Sequence, residues 1–141
     1  MKILICGLSG SGKSTLAEPL AKLLNGIWIN ADEVRTHYDD WDFSIEGRIR
    51  QAERMSYIAD GVVMSGKIAI ADFIAPTEKI RTIYNPNYLV WMDTLDNSGF
   101  PDTDEMFEPP AHVNYHVSKW FDDTHTQLME IVSSWMKRNE I

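Results

Sequence analysis

The chain has 141 residues and one cysteine, Cys6, a length that suits a single domain, 1–141, folding on its own core without disulfides. Twenty-one Asp+Glu against thirteen Lys+Arg give a net charge of −8, which repels a polyphosphate backbone and argues against nucleic acid as a partner. No apolar run nears the roughly 20 residues of a membrane-spanning helix, and no charged leader precedes a signal-length apolar stretch, so a soluble, reduced, cytoplasmic protein with no membrane partner is expected.

Lys2 to Cys6 is an apolar run that predicts a strand. It breaks into a Gly/Ser-rich turn, after which Leu16, Leu20, Leu23 and Leu24 recur at helical spacing up to Asn25-Gly26. Pro19 falls inside this helix and predicts a local bend, because it removes a backbone donor. Ile27 to Asn30 reads as a second strand. Ser44 to Ser65 reads as the longest helix, with Ile45, Ile49, Ala52, Met55, Ala59, Val62 and Val63 on its apolar stripe and Arg50 and Arg54 off it. Ile68 to Ala71 predicts a third strand, Thr77 to Ile83 a short helix, Tyr88 to Met92 a fourth strand and Gln127 to Lys137 a closing helix. Between the last two, Asp93 to Pro110 carries Asp93, Asp96, Asp102, Asp104, Glu105 and Glu108 with no Lys or Arg, the pattern of a solvated loop. Strands alternating with helices predict an α/β fold of three layers, a parallel sheet flanked by helices, with ligands at the carboxyl ends of the strands.

Gly7-Leu8-Ser9-Gly10-Ser11-Gly12-Lys13-Ser14 fits G-x-x-x-x-G-K-[ST] without a mismatch, after a predicted strand and before a predicted helix. The glycines let backbone N–H groups curl towards phosphate oxygens while the helix presents its positive end. Lys13 then spans the β and γ phosphates, the Ser14 hydroxyl holds Mg²⁺, and Thr15 completes the segment Gly7, Ser9–Thr15 expected to bind ATP. Such a loop serves kinases, switch GTPases and motors alike. With no Asn-Lys-x-Asp guanine-reading element in the chain, a small phosphotransferase using ATP and Mg²⁺ is the favoured reading.

Asn30-Ala31-Asp32-Glu33-Val34-Arg35 follows the second strand, so Asp32 and Arg35 are expected at the sheet's carboxyl edge beside the phosphate loop. A carboxylate there can take the proton of an attacking hydroxyl, and an Arg can grip an anionic acceptor. A helix cap at Asp32 and a solvated charge at Arg35 are the competing readings. Asp72, after the third strand, is a carboxylate able to hold Mg²⁺ through water or simply a solvated strand end. His37, His112, His116 and His125 lack metal-like spacing with Cys6 or one another and read as structural or surface residues. Trp28, Trp41, Trp91, Trp120 and Trp135 read as core and lid-edge packing.

In its ordered motifs the sequence resembles the adenylylsulfate kinases, P-loop kinases that phosphorylate the 3′-hydroxyl of adenosine 5′-phosphosulfate. The opening Gly-Leu-Ser-Gly-Ser-Gly-Lys-Ser-Thr is similar to that family's loop, and Asn30 to Arg35 to its Asp-Gly-Asp-Asn-Val-Arg. Phe43-Ser44 with Arg48 and Arg54 resembles Phe-Ser-x-x-Asp-Arg-x-x-Asn-x-x-Arg, and Phe73-Ile74-Ala75-Pro76 with Arg81 resembles Phe-Ile-Ser-Pro and its trailing Arg. The resemblance extends over most of residues 1–116. It implies that Arg35, Phe43, Arg48, Gln51 and Phe73, Ile74, Ala75 and Pro76 hold the acceptor nucleotide while Asp32 faces its hydroxyl; Phe43 and Phe73 as plain core residues are the alternative. Asn30, Gly47 and Gln51 stand where the family has Asp, Asp and Asn. Only Thr94 to Gly99 separates the fourth strand from the acidic stretch, so the basic lid is missing or very short, and positive charge at the phosphates is expected from Lys13, Mg²⁺ and Arg48, Arg54 or Arg81. A nucleoside monophosphate kinase and a nucleotide-binding module with little catalysis are the rival readings, and the oligomeric state stays open, a homodimer included.

Overall fold

The apolar run at the start of the chain becomes β1 (Lys2–Gly7), buried along its whole length at the centre of a five-stranded sheet. The computed structural model describes residues 1–119 and 124–141; Trp120 lies outside them. β2 (Ile27–Asn30), β3 (Ala69–Asp72), β4 (Tyr88–Met92) and β5 (Tyr115–Val117) complete the sheet in the order β2-β3-β1-β4-β5. Every pairing is parallel. The register sets Asn30 opposite Asp72 and Gly7 opposite Met92, so the carboxyl ends of four strands open onto one edge.

Alternation along the strands divides the core in two. Ile3, Ile5, Ile70, Tyr88 and Val90 pack with Leu16 and Leu20 of α1 (Lys13–Leu23) and Leu128 and Val132 of α6 (Thr124–Arg138). Leu4, Cys6, Ala69 and Ala71 pack on the other face with Met55 and Ala59 of α3 (Ile45–Met64) and Ile80 of α4 (Glu78–Tyr84). Cys6 is a free thiol with no accessible surface, pushed up to about 11 by that burial. The three-layer α/β architecture is therefore the one expected. α1 runs through Pro19 without a break.

Three elements go beyond the periodicity. α2 (Ala31–Tyr38) follows β2 directly and is too short and polar to carry a helical stripe. α5 (Pro101–Met106) replaces part of the expected acidic loop. Pro101 is preset for a first helical position, and Asp102 and Asp104 in the first turn suit the helix's positive end. β5 has three residues and, among the described residues, pairs with β4 alone. The stripe of α3 is also shifted from the expected one: Ile45 is 58% exposed, whereas Arg48 and Gln51 are buried. The first two turns of α3 border a polar cavity rather than the apolar core, so its buried face there is polar. Leu23 of α1 is likewise exposed. Among the described residues no helix is long and apolar enough to cross a membrane.

Candidate active site

The turn between β1 and α1 wraps into a loop that Gly12, with φ of 100°, enters α1 by a left-handed backbone, a conformation costly for residues with a Cβ. Ser9, Gly10, Gly12, Lys13, Ser14 and Thr15 line a cavity of about 340 Å³. Gly7 and Ser11 sit behind them: the carbonyl of Ser11 accepts from the Thr94 hydroxyl at 2.7 Å, which fixes the loop to the segment after β4. The Lys13 ammonium donates to the Leu8 carbonyl at 2.9 Å. Burial pulls it below its usual range, against the attraction of Asp72 and Asp32.

Ser14 and Asp72 meet at the floor of the cavity, the hydroxyl donating to Asp72 Oδ1 at 3.2 Å. Trp28 Nε1 donates to Asp72 Oδ2, and Asn30 Nδ2 donates to Ser14 Oγ at 3.4 Å. Trp28 thus does more than pack. Burial raises the Asp72 carboxyl above its ordinary value, against the pull of the Trp28 bond, Lys13, Ser14 and Asn30. Asp72 is 3% exposed, which removes the reading of a solvated strand end. A hydroxyl and one carboxylate are hard oxygen donors that suit Mg²⁺ shared with nucleotide phosphates. Among the described residues no group of three His, Cys, Asp or Glu side chains could enclose a metal unaided.

On the opposite wall, Asn30 caps α2 by accepting from the Glu33 N–H at 3.0 Å. The cap role that competes for Asp32 therefore falls to Asn30, and Asp32 lines the cavity from the first turn of α2. Arg35 is 5% exposed and Arg48 8% exposed, so neither is a solvated charge. Arg35 Nη1 donates to the carbonyls of Asp40 at 3.0 Å and Asp42 at 3.3 Å. Arg48 donates from Nε to the Phe43 carbonyl and from Nη2 to Thr103 Oγ1, each at 2.9 Å. Both guanidinium groups lie against the Phe43 ring, 4.3 and 5.4 Å from its centre, and that ring is 47% exposed rather than core. Burial pulls Arg35 and Arg48 below the usual arginine range, yet guanidinium groups stay charged at neutral pH.

Phe73 is buried edge-on against Tyr84, with ring centres 5.8 Å apart, and still lines the cavity with Ile74, Ala75 and Pro76. Gln51 lines it too, donating to the Ala31 carbonyl at 2.9 Å and keeping an unpartnered, buried Oε1. Gly47 has a steric cause: a Cβ there would stand 2.1 Å from the Asp42 carbonyl, so the backbone of the loop before α3 forbids the Asp found in the resembling motif.

Two expected sources of positive charge are corrected. Arg54 pairs with Asp40 at 2.7 Å, beside Arg50, which bridges Asp40 and Asp42. Arg81, 2% exposed, donates to the carbonyls of Ala75 and Glu108 and pairs with Glu78. Neither lines the cavity, which leaves Lys13, Arg35 and Arg48 as its cations among the described residues. Of the histidines, His116 contacts Asp93 at 2.8 Å and stacks on Trp91. Trp41 is 49% exposed, near the mouth beside Phe43.

The family model described as adenylylsulphate kinase matches residues 1–88. The chain belongs to the adenylylsulphate kinase family. It is 32% identical over 94 residues to the adenylyl-sulfate kinase of Shewanella halifaxensis, covering 60% of this chain and 46% of that one. It is 37% identical over 83 residues to adenylyl-sulfate kinase 3 of Arabidopsis thaliana, covering 55% and 40%. The chain thus spans under half the length of these relatives. The fold matches the Mycobacterium tuberculosis APS kinase CysC, solved in complex with AMPPNP and APS, with a TM-score of 0.82 over 94% of this chain and 96% of that one, at 18% identity. Likeness to the family model ends at Tyr88, the first residue of β4, ahead of the segment Thr94 to Gly99.

Proposed function

We propose that the protein transfers the γ-phosphoryl group of ATP to the 3′-hydroxyl of adenylylsulfate. The observation that carries this reading is one continuous cavity in which the phosphate loop faces Asp32 and the Arg35–Phe43–Arg48 cluster. The Lys13 ammonium and the loop N–H groups hold the ATP phosphates. Ser14, and Asp72 through water, would hold Mg²⁺, which would supply neutralisation of phosphate charge there. Arg35 and Arg48 pair with the phosphosulfate, and the open Phe43 face, with Phe73 to Pro76, receives the purine. Asp32 takes the proton of the 3′-hydroxyl as its oxygen bonds to the γ-phosphorus and the bond to the β-phosphate oxygen breaks, releasing ADP. The partner is a small anionic nucleotide, and the reduced Cys6 suits a cytoplasmic setting.

An acceptor screen measuring released ADP tests this. Adenylylsulfate is expected to drive release in the wild type, and Lys13→Ala to abolish nearly all of it in a folded protein. Release driven by nucleoside monophosphates but not by adenylylsulfate overturns the acceptor assignment.

A further inference from the structure

Asp72 is presented to the nucleotide site by a residue outside the cavity lining. Trp28 lies two positions before Asn30 on β2, in register with Ile70 of β3, so its side chain shares a sheet face with Asp72. Its ring packs against the core between the sheet and α1, while Nε1 turns to the Asp72 carboxylate. The two oxygens of Asp72 therefore have different partners: Oδ2 takes the indole N–H and Oδ1 takes the Ser14 hydroxyl. An indole has one donor, no acceptor and a rigid frame. It can hold a carboxylate oxygen but cannot compete for the cations that the other oxygen attracts. A buried indole N–H needs an acceptor, and here the acceptor is the carboxylate that faces Ser14.

We propose that Trp28 is a positioning residue for the nucleotide-metal site, fixing one oxygen of Asp72 so that the other stays turned towards Ser14. The inference rests on the reading of the phosphate loop as a Mg–nucleotide site and is independent of the acceptor. Outer partners of this kind set metal affinity by about tenfold or more when removed.

The test is calorimetric binding of ADP across a Mg²⁺ titration to wild type and Trp28→Phe, which keeps the aromatic bulk and removes the donor. The Mg²⁺ concentration needed for full ADP affinity is expected to rise about tenfold in the variant, with ADP affinity in chelator unchanged. In the ¹⁵N-labelled wild type, the Trp28 indole N–H signal, assigned from that variant or from Trp28→Tyr if it fails to fold, is expected to shift when Mg²⁺ joins bound ADP and not with ADP alone. An unchanged Mg²⁺ requirement together with an unmoved indole signal overturns the proposal while leaving the phosphate site intact. Absence of Mg–ADP binding to the wild type overturns both.

Discussion

Asn30 and Asp32, two positions apart, have traded duties. The amide of Asn30 caps α2 and reaches Ser14, tasks that need a neutral group able to accept and donate at once. Asp32 is thereby left with its carboxylate at the cavity wall, where the proposed proton removal needs its charge. A hydroxyl acceptor must lose its proton on phosphorylation, so Asp32→Asn is expected to lower kcat by roughly 10²-fold or more with little change in acceptor KM. Wild-type kcat in that variant at saturating Mg²⁺ would favour an acceptor phosphate, already anionic, over a hydroxyl. The phosphate loop was legible in the sequence because backbone curvature, helix start and Lys13 are all encoded within eight consecutive residues. Asp32 and Arg35 were open to bland readings, because what a charged side chain faces depends on elements distant in the chain. The Trp28–Asp72 bond was not legible at all, since it joins residues 44 apart through strand register.

The turn that closes one wall of the cavity shows how an element can depend on a buried cation that does not itself line it. Ala75 has a φ of 45°, a left-handed backbone that costs a residue with a Cβ roughly 1 kcal/mol or more. Arg81, from α4, holds the Ala75 carbonyl at 2.9 Å and also binds the Glu108 carbonyl. The Glu108 N–H in turn donates to Pro76 at 2.6 Å, and the Glu108 carboxylate accepts from the Glu78 N–H. Arg81→Ala opens a void and strands two carbonyls, so a loss of about 2–4 kcal/mol is expected, seen as a lower Tm. An unshifted Tm would mean that the turn keeps its shape unaided. The same arginine looked from the sequence like a source of charge for the phosphates; its fork is instead spent on backbone carbonyls. Around α3 the exposed carboxylates act similarly on their loop. Hydrogen bonds from Ser44 and Arg50 draw Asp42 down to about 2 from 3.8, so its support of the loop is complete above the ordinary value and fades as pH falls towards 2.

At the scale of the whole molecule, charge is distributed unevenly about the sheet. Between Arg81 and Lys119 the sequence has no Lys or Arg, so the segment from β4 to Val117 brings no Lys or Arg to the cavity. α5 instead meets the cavity through a neutral hydroxyl, Thr103, on Arg48. The alternation of strands and helices was readable because each buried strand is an unbroken apolar run, whereas α5 and β5 are too short for any period to declare itself. The sheet also encloses a chemical clock. Cys6 lies one residue before the phosphate loop, without accessible surface and with its thiol held protonated to about 11, so alkylation at pH 8 must wait for the central strand to open. Its rate then measures the open population, and a ligand that binds only the closed form at 100 times its Kd is expected to slow labelling about 100-fold. Immediate stoichiometric labelling of the folded protein would contradict this. Occupancy of the nucleotide site becomes countable, one thiol per chain, in a sample where no phosphoryl group is transferred.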